Sequence, residues 1–598
     1  MDKYKFANII LEHNLRSVNY PTLYCRTTGS FFLNREEQEW ELYGPGTFDF
    51  TTFFNCLSVL KVKRYTFAKA FHLHIEVKGC SFSFWQTRAD TYSSEAEVVE
   101  GTMVEYPASD EWREIDVELV PDEGAVVMGF GLQTQGSILI RNGYYSFDLG
   151  DREPRAIELA LSTTTFRKED FITSNIALVK KEILDSDDAI SKHFHMYVVD
   201  NGRTLDAEAL SSPGVTVIPN NNVGGAGGFA RGMIAAMEQN PKATHVLLMD
   251  DDVAVSAESI KRTFTLLRVL NDEFEDAFVS GAMMNYEIGE DLWEDMGYMT
   301  EDGVCRPIKS NLRMTLLHDI VLNETYHPTK EQKAQPYAAW WYCCIPMATI
   351  EKEGLPLPVF VRFDDIEYSL RCKPKFVHLN GICIWHLAFH ARYSAAVERY
   401  QTNRNAFLGR AITGMARESD FELQLYHNVQ LELKKFNYTN AELALDGFED
   451  YMKGPEFIMQ PVAERCFLDA NRKAEKLLPF DEIKEEAAEL GVDLDELDWY
   501  EVYQDRPRNR MQAAYDFLSF NGHRIPYFGQ LRNVAIIPAE GWAYPAGELH
   551  GADTVLAIDA FNRKGIIRHK DEARFKEVWN RYKRDVKEYK RIRKDLEA

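Results

Sequence analysis

Three apolar runs, MYVVD at 196–200, VTVIP at 215–219 and HVLLMD at 245–250, are short and uninterrupted, and each ends in a polar loop. They read as buried strands. Helix-patterned stretches such as TSNIALVKKEIL lie between such runs. Continuous apolar strands alternating with helices imply a mostly parallel sheet covered on both faces. Ligands of such sheets gather beyond the carboxyl ends of the strands. The segments at those ends are DNG, NNNVGG and DDDV.

The texture differs on either side. Within residues 1–150, FHLHIEV at 71–77 and REIDVELV at 113–120 alternate apolar and polar positions, punctuated by Gly44-Pro45-Gly46 and Asp122-Glu123-Gly124. That pattern predicts an antiparallel β-sandwich or barrel. Trp85 and Trp112 are its candidates for stacking on sugar rings, or else core aromatics. Beyond residue 395, stretches such as AAVERYQTNRNAFLGRAITGMARE carry apolar residues at three- and four-residue spacing. The acidic DEIKEEAAELGVDLDELDWYE at 481–501 reads as a solvated helical face. The expected fold class is multidomain α/β: an N-terminal sandwich over 1–150, a central Rossmann-like sheet over 151–395 and a helical domain over 396–598.

The 598 residues hold 93 acidic against 68 basic side chains, a net charge of −25, which argues against a nucleic-acid partner. The last 36 residues reverse this, with 14 Lys/Arg against 7 Asp/Glu, so +7 there and −32 elsewhere. Such a basic end fits a solvated helix or an anionic membrane surface. Nine cysteines without a C-x-x-C pair suggest thiols in a reducing compartment. The opening MDKYKFANIILEHN lacks the apolar core of a signal peptide, and no run approaches the roughly 18 apolar residues of a spanning helix. A cytoplasmic protein is expected, or one peripheral on the cytoplasmic face of a membrane.

NNNVGGAGGFARGM, 220–233, places five glycines in nine positions, a density that usually presses backbone against phosphate. Gly225, Gly227 and Ala230 fit the loose dinucleotide fingerprint, which would make the chain a nicotinamide-dependent oxidoreductase. That fingerprint usually opens its domain and uses one acid about 20 residues on. Here the glycines follow earlier strands, and the downstream acid is the triplet Asp250, Asp251, Asp252. Crowded carboxylates repel unless a cation lies between them. Alternation puts Asp250 and Asp252 on one side and Asp251 on the other. This is D-x-D geometry, suited to Mg²⁺ or Mn²⁺ bridging protein to a nucleoside diphosphate.

Downstream, LPVFVRFDDIEYSLRC at 357–372 runs an apolar segment into Asp364-Asp365 at a helix start. One carboxylate caps the helix; the other can serve as a general base toward a hydroxyl. ICIWH reads as a strand ending in His386, which could complete the coordination of the ion at Asp250 and Asp252. His390 stands four residues on, a spacing that also suits zinc, though weakly without an intervening glutamate. In YAAWWYCCIP, Trp340, Trp341 and Tyr342 offer rings for a sugar subsite or for the core.

The ordered motifs NNNVGGAGGFARG, MDDDV, WWYCCIP, FDDIEYSLR and WHLAFH resemble family 2 glycosyltransferases of the GT-A fold. More narrowly, they resemble the polymerising galactofuranosyltransferases of actinobacterial cell-wall galactan, except that WWY stands where a third tryptophan is expected. The resemblance implies a UDP-galactofuranose donor, Mn²⁺ or Mg²⁺, and a polyprenyl-diphosphate-linked acceptor extended through β-(1→5) and β-(1→6) links. By position it implies that Asp250, Asp252 and His386 hold the metal and Asp365 is the base. It places Asp364, Glu367, Trp340, Trp341 and His390 at the acceptor. Thr164, Arg167, Asp200, Asn222, Gly227, Asp250 and Asp251 line the nucleotide, with Asp200 reading the uracil. A homo-oligomer is expected. The metal and base motifs leave other readings open: a rhamnosyl- or other hexosyltransferase, and a glycan-binding protein on a degenerate transferase domain.

Overall fold

The computed structural model describes residues 3–12, 14–34, 39–309, 311–387, 393–503, 506–527, 532–541 and 545–596. They form a mixed α/β protein of two compact units. One comprises Met1–Thr300, Cys305–Pro356 and Tyr368–Ala388; the other comprises Glu301–Val304, Leu357–Glu367 and Phe389–Ala598.

The period-two patterning at the N-terminus produces two six-stranded antiparallel sheets. In strand Ala70–Gly79, Phe71, Leu73, Ile75 and Val77 are buried while the alternate residues face the other way. Trp85 packs over Gly131, where a Cβ would overlap the indole, so it is a core ring. Trp112 has the Arg141 guanidinium 4.0 Å and the Lys78 ammonium 4.4 Å from its ring centroid. Both tryptophans are therefore already in contact with the protein's own groups.

The central sheet has the strand order Val215–Pro219, Phe194–Asp200, Leu159–Thr165, His245–Asp250, Tyr342–Pro346, Phe278–Ser280, Phe376–Val377. Only Tyr342–Pro346 runs against the rest. A smaller sheet places Cys383–His386 between Ala254–Val255 and Ala282–Asn285. A buried ionic cluster joins the N-terminal helix Val59–Tyr65 to the rest of the unit. Lys61 Nζ lies 3.0 Å from His378 Nδ1 and 3.4 Å from Glu324, and His378 lies 2.9 Å from Asp295. Lys309 pairs with Asp295 and donates to Asn323 Oδ1 at 2.6 Å. Lysines and carboxylates balance, as burial requires.

The C-terminal unit is mostly helical, but it also carries a four-stranded sheet that the helical reading passed over: Leu478–Pro479, Lys564–His569, Ala552–Asp559 and Arg532–Pro538. Two of its strands hold short continuous apolar runs, VAIIP and VLAI, the same signal that marks the central sheet, whereas Lys564–His569 and Leu478–Pro479 carry no such run. In helix Phe480–Glu489, Phe480, Ile483 and Ala487 are buried and the acids lie outside, as expected. The basic excess of the last residues has an internal partner. Along helix Glu572–Leu596, Arg574 pairs with Glu442, Arg581 with Asp446 and Glu449, and Arg584 with Glu449, all on helix Tyr438–Met452. All nine cysteines are free thiols, five of them buried. Among the described residues no helix is long and apolar enough to cross a membrane.

Candidate active site

Strand register assembles the site. It sets Thr164 beside Asp250, Thr165 beside Asp200, and Asp200 beside Pro219, so four strand ends share one edge. Asp200 is fully buried, and its two carboxylate oxygens accept from the Gly202 and Leu205 amides at 2.9 Å each. Asn201 donates to the Gly224 carbonyl and Asn220 to Asn201 Oδ1, each at 2.9 Å, which ties the loops at 200–205 and 219–224 together. Arg167 is exposed and held at φ +57°, a conformation an arginine adopts only where its surroundings enforce it.

Most of the glycine-rich segment is helix rather than loop: it lies in helix Gly224–Glu238, whose first residue, Gly224, is at a left-handed φ of +70°. Two of its glycines are explained by packing. A Cβ on Gly228 would overlap the Thr164 side chain, and one on Gly232 would overlap that of Ser162. Four residues along a helix match two along a strand, so the helix seats directly on the central strand. The Asn222 side chain accepts from the Gly224 amide at 3.2 Å, but no side chain caps the helix from its N-cap position. The first-turn amides after Gly224 are thus without a side-chain cap and can meet an anion. Thr164 Oγ1 is buried beneath this helix start without a hydrogen-bond partner.

The acidic triplet turns away from His245–Asp250 and is held by Asn175, whose Nδ2 donates to the Asp251 and Val253 carbonyls at 3.1 and 3.2 Å. His386 Nε2 stands 3.4 Å from Asp252 Oδ1 and 4.0 Å from Asp250 Oδ2. Its Nδ1 lies 2.6 Å from the Leu387 carbonyl. A carbonyl only accepts, so Nδ1 carries a hydrogen and Nε2 is the atom presented to the carboxylates. Burial disfavours charge on this ring. The hydrogen bond to Asp252 and the charges of Asp250 and Asp252 outweigh burial and hold the His386 pKa above its ordinary value. Lys168 Nζ lies 3.6 Å from Asp252 Oδ2 on the other side. Burial, with the Asp252 charge beside it, pushes the Asp251 carboxyl up to about 6.

Of the aromatic trio, Trp340 is 3% exposed, edge-on to Phe229 and to Tyr368 with both centroids at 5.6 Å. Trp341 is 9% exposed. Tyr342 is fully buried, its hydroxyl donating to the Ser259 carbonyl at 2.9 Å. The departure from a third tryptophan therefore falls inside the core.

Asp364, Asp365 and Glu367 open helix Asp364–Cys372, and these three residues are counted with the C-terminal unit. Asp365 Oδ1 accepts from the Ile366 amide at 2.8 Å, and Glu367 is buried. The residues leading into this helix are unusual: Phe360, Arg362 and Phe363 have φ of +73°, +72° and +69°. Each costs about 1–2 kcal/mol for a residue with a Cβ.

The structure thus brings Asp250, Asp252 and His386 together and sets Thr164, Arg167, Asp200, Asn222, Gly227 and Asp251 about the same sheet edge. His390 lies outside the described residues. Sequence reasoning missed Lys168 and Asn175. The first was legible as a cation in the loop after a strand. The second was a lone amide in an apolar helical pattern and gave no particular signal.

No family model matches the chain. Among curated proteins, the galactofuranosyltransferase GlfT2 of Mycolicibacterium smegmatis is 25% identical over 445 residues, 68% of this chain and 64% of its own length. The galactofuranosyltransferase GlfT2 of Mycobacterium tuberculosis is 25% identical over 441 residues, 68% of this chain and 66% of its own. The chain spans slightly less than two thirds of the length of these relatives. Among solved structures, a mannosyltransferase of Pyrobaculum calidifontis in complex with GDP-Man and Mn²⁺ is 10% identical with a TM-score of 0.28, over 54% of this chain and 89% of that one. That likeness is too slight to bear on function. By sequence, the chain is similar to the mycobacterial galactofuranosyltransferases, the family its ordered motifs resemble.

Proposed function

We propose that this chain is an inverting, metal-dependent galactofuranosyltransferase of the GT-A fold. It extends a galactofuranan on a polyprenyl-diphosphate-linked acceptor from UDP-galactofuranose, through β-(1→5) and β-(1→6) links. The observation that carries the reading is His386 Nε2 facing Asp250 and Asp252 at the carboxyl edge of the parallel sheet.

The residues fit a divalent cation. Two carboxylates and an imidazole whose other nitrogen is tied to a carbonyl are a suitable donor set for Mn²⁺ or Mg²⁺. Ligands at ~2.1 Å from such an ion stand ~3 Å apart when adjacent and ~4 Å when opposite. The observed separations of 3.4 and 4.0 Å fall in that range. Among the described residues no group of three His, Cys, Asp or Glu side chains is already drawn tightly enough to hold a metal. When bound, the ion would neutralise the diphosphate as it departs.

The chain's own residues do the rest. Asp365 takes the proton of the acceptor hydroxyl while that oxygen attacks the anomeric carbon from the face opposite UDP, so one displacement inverts configuration. Asp364, Glu367, Trp340, Trp341 and His390 border acceptor and sugar. Thr164, Arg167, Asp200, Asn222, Gly227 and Asp251 surround the nucleotide, and the first turn of helix Gly224–Glu238 offers amides to its phosphates. In this reading residues 1–150, 151–395 and 396–598 are the sandwich, catalytic and C-terminal domains of a cytoplasmic homo-oligomer. It meets its lipid-linked acceptor at the membrane surface.

The test is mass spectrometry of products from UDP-galactofuranose, Mn²⁺ and a short galactofuranoside acceptor. Successive additions of one hexose support the reading. Transfer only from dTDP-rhamnose would overturn the donor and favour the rhamnosyltransferase alternative. Asp365→Asn should lower kcat by about 10²–10⁴ and leave UDP affinity unchanged.

A further inference from the structure

We infer that Asn405 is a positioning residue that clamps the left-handed segment ahead of Asp364 and Asp365, resting on the reading of Asp365 as the base. Helix Thr402–Thr413 follows a wide π-helical turn, Ala396–Gln401, an irregularity common at functional sites. Gln401, Arg404 and Asn405 occur at the spacing of one helix face, and all three are almost wholly buried.

Their contacts converge on the carbonyls of one segment. Asn405 Nδ2 donates to the Val361 carbonyl at 2.8 Å and the Arg362 carbonyl at 2.9 Å, with Val359 at 3.3 Å. Arg404 donates to the Val359 carbonyl at 2.6 Å, and its Nε to Asn405 Oδ1 at 2.9 Å. That last bond fixes which end of the carboxamide faces the segment. Arg362 is anchored in turn on Glu398 Oε1 at 2.5 Å. The carbonyls held this way belong to the stretch in which Phe360, Arg362 and Phe363 adopt positive φ. Backbone in that region persists only where its surroundings over-determine it. The next residue is Asp364, so the conformation Asn405 imposes sets where the acid pair begins its helix.

The first experiment is Asn405→Asp, a variant of equal size whose second oxygen cannot donate to those carbonyls. Without substrate, hydrogen exchange at the amides of 364–367 should quicken. With substrate, kcat should fall by about 10- to 100-fold, while donor KM and UDP affinity stay within about twofold of wild type, as expected for lost orientation without lost binding. Combined with Asp365→Asn, it should add no further loss. Asn403→Ala is the control. Asn403 is another buried carboxamide on this helix, bonded to the Arg399 carbonyl and to Asn428. Its loss should lower stability without touching kcat. Asn405→Ser keeps one donor and should fall between wild type and Asn405→Asp; it replaces the aspartate variant if that variant does not fold.

Unchanged exchange at 364–367 overturns the clamp, and so does an equal fall in kcat in Asn403→Ala. If Asp365→Asn itself keeps full rate, the base assignment fails separately, and the substrate-free exchange result still decides the clamp.

Discussion

Gly228→Ala separates two reasons for the glycine-rich segment. If the glycines serve phosphate, a methyl at 228 weakens UDP binding and leaves the protein stable. If they serve the contact between helix and strand, it destabilises the fold. A Cβ there overlaps the γ atoms of Thr164 and comes within 2.9 Å of its Cβ, an atom no rotamer change can move; Thr164 is half-buried with its Oγ1 covered. Overpacking a close-packed contact costs about 1–3 kcal/mol, so this variant should lose that much. Gly227→Ala would bring its Cβ within 2.6 Å of the Val223 Cβ, which only a backbone shift at the helix start can relieve, so it too should destabilise, but without coupling to Thr164. Thr164→Ala removes the overlapping atoms, so the double variant should be more stable than the two single losses combined predict, by about 1 kcal/mol or more. The assay is urea unfolding followed by hydrogen exchange of peptides from 159–165 and 224–238, which reads this unit alone, with UDP calorimetry alongside. Gly228→Ala within about 0.5 kcal/mol of wild type, the range of an uninvolved surface site, with no coupling to Thr164, would refute the packing argument.

Further outcomes follow from the charges. Lys168 competes with a cation for Asp252 across 3.6 Å and is 40% exposed, so the pair is worth no more than about 1 kcal/mol. Lys168→Met should therefore tighten nucleotide-free Mn²⁺ binding up to about fivefold; weaker binding would show that Lys168 supports the site instead. Burial, with Lys61 and Lys309 beside it and only Asp295 opposing, lowers the His378 pKa from 6.5 to about 3. The folded state thus refuses a proton that the unfolded state accepts, and stability is lost as pH falls from 6.5 toward 3. Between pH 6.5 and 5 the loss from this one group approaches roughly 2 kcal/mol. His378→Gln should remove that part of the acid sensitivity in pH-dependent unfolding; an unaltered pH profile would count against it.

Where local pattern and burial agree, the fold was legible. MYVVD, VTVIP and HVLLMD are strands of one sheet, and FHLHIEV alternates as its residues require. His386 at the end of a strand could be read because the strand signal ended there. The rest depended on partners distant in sequence. The glycines of 224–232 carry a phosphate signature, yet what uses Gly228 and Gly232 is a strand some 65 residues earlier. The basic C-terminal stretch fitted a solvated helix or a membrane surface alike, and neither reading could show that Arg574, Arg581 and Arg584 pair with acids of helix Tyr438–Met452. Charge composition records the excess and not its partner. Asn405 was equally invisible, because an asparagine in a helical run gives no hint of the carbonyls it meets.

The account stands on the cation held by Asp250, Asp252 and His386. The direct measurement is electron paramagnetic resonance titration of Mn²⁺ into wild type and His386→Ala, with and without UDP. Wild type should bind one Mn²⁺, more tightly with UDP present, and the variant should lose at least the ~10–100-fold in affinity that even outer-shell partners of a metal site confer. Equal Mn²⁺ binding by the two proteins, or none by wild type with UDP present, would contradict it.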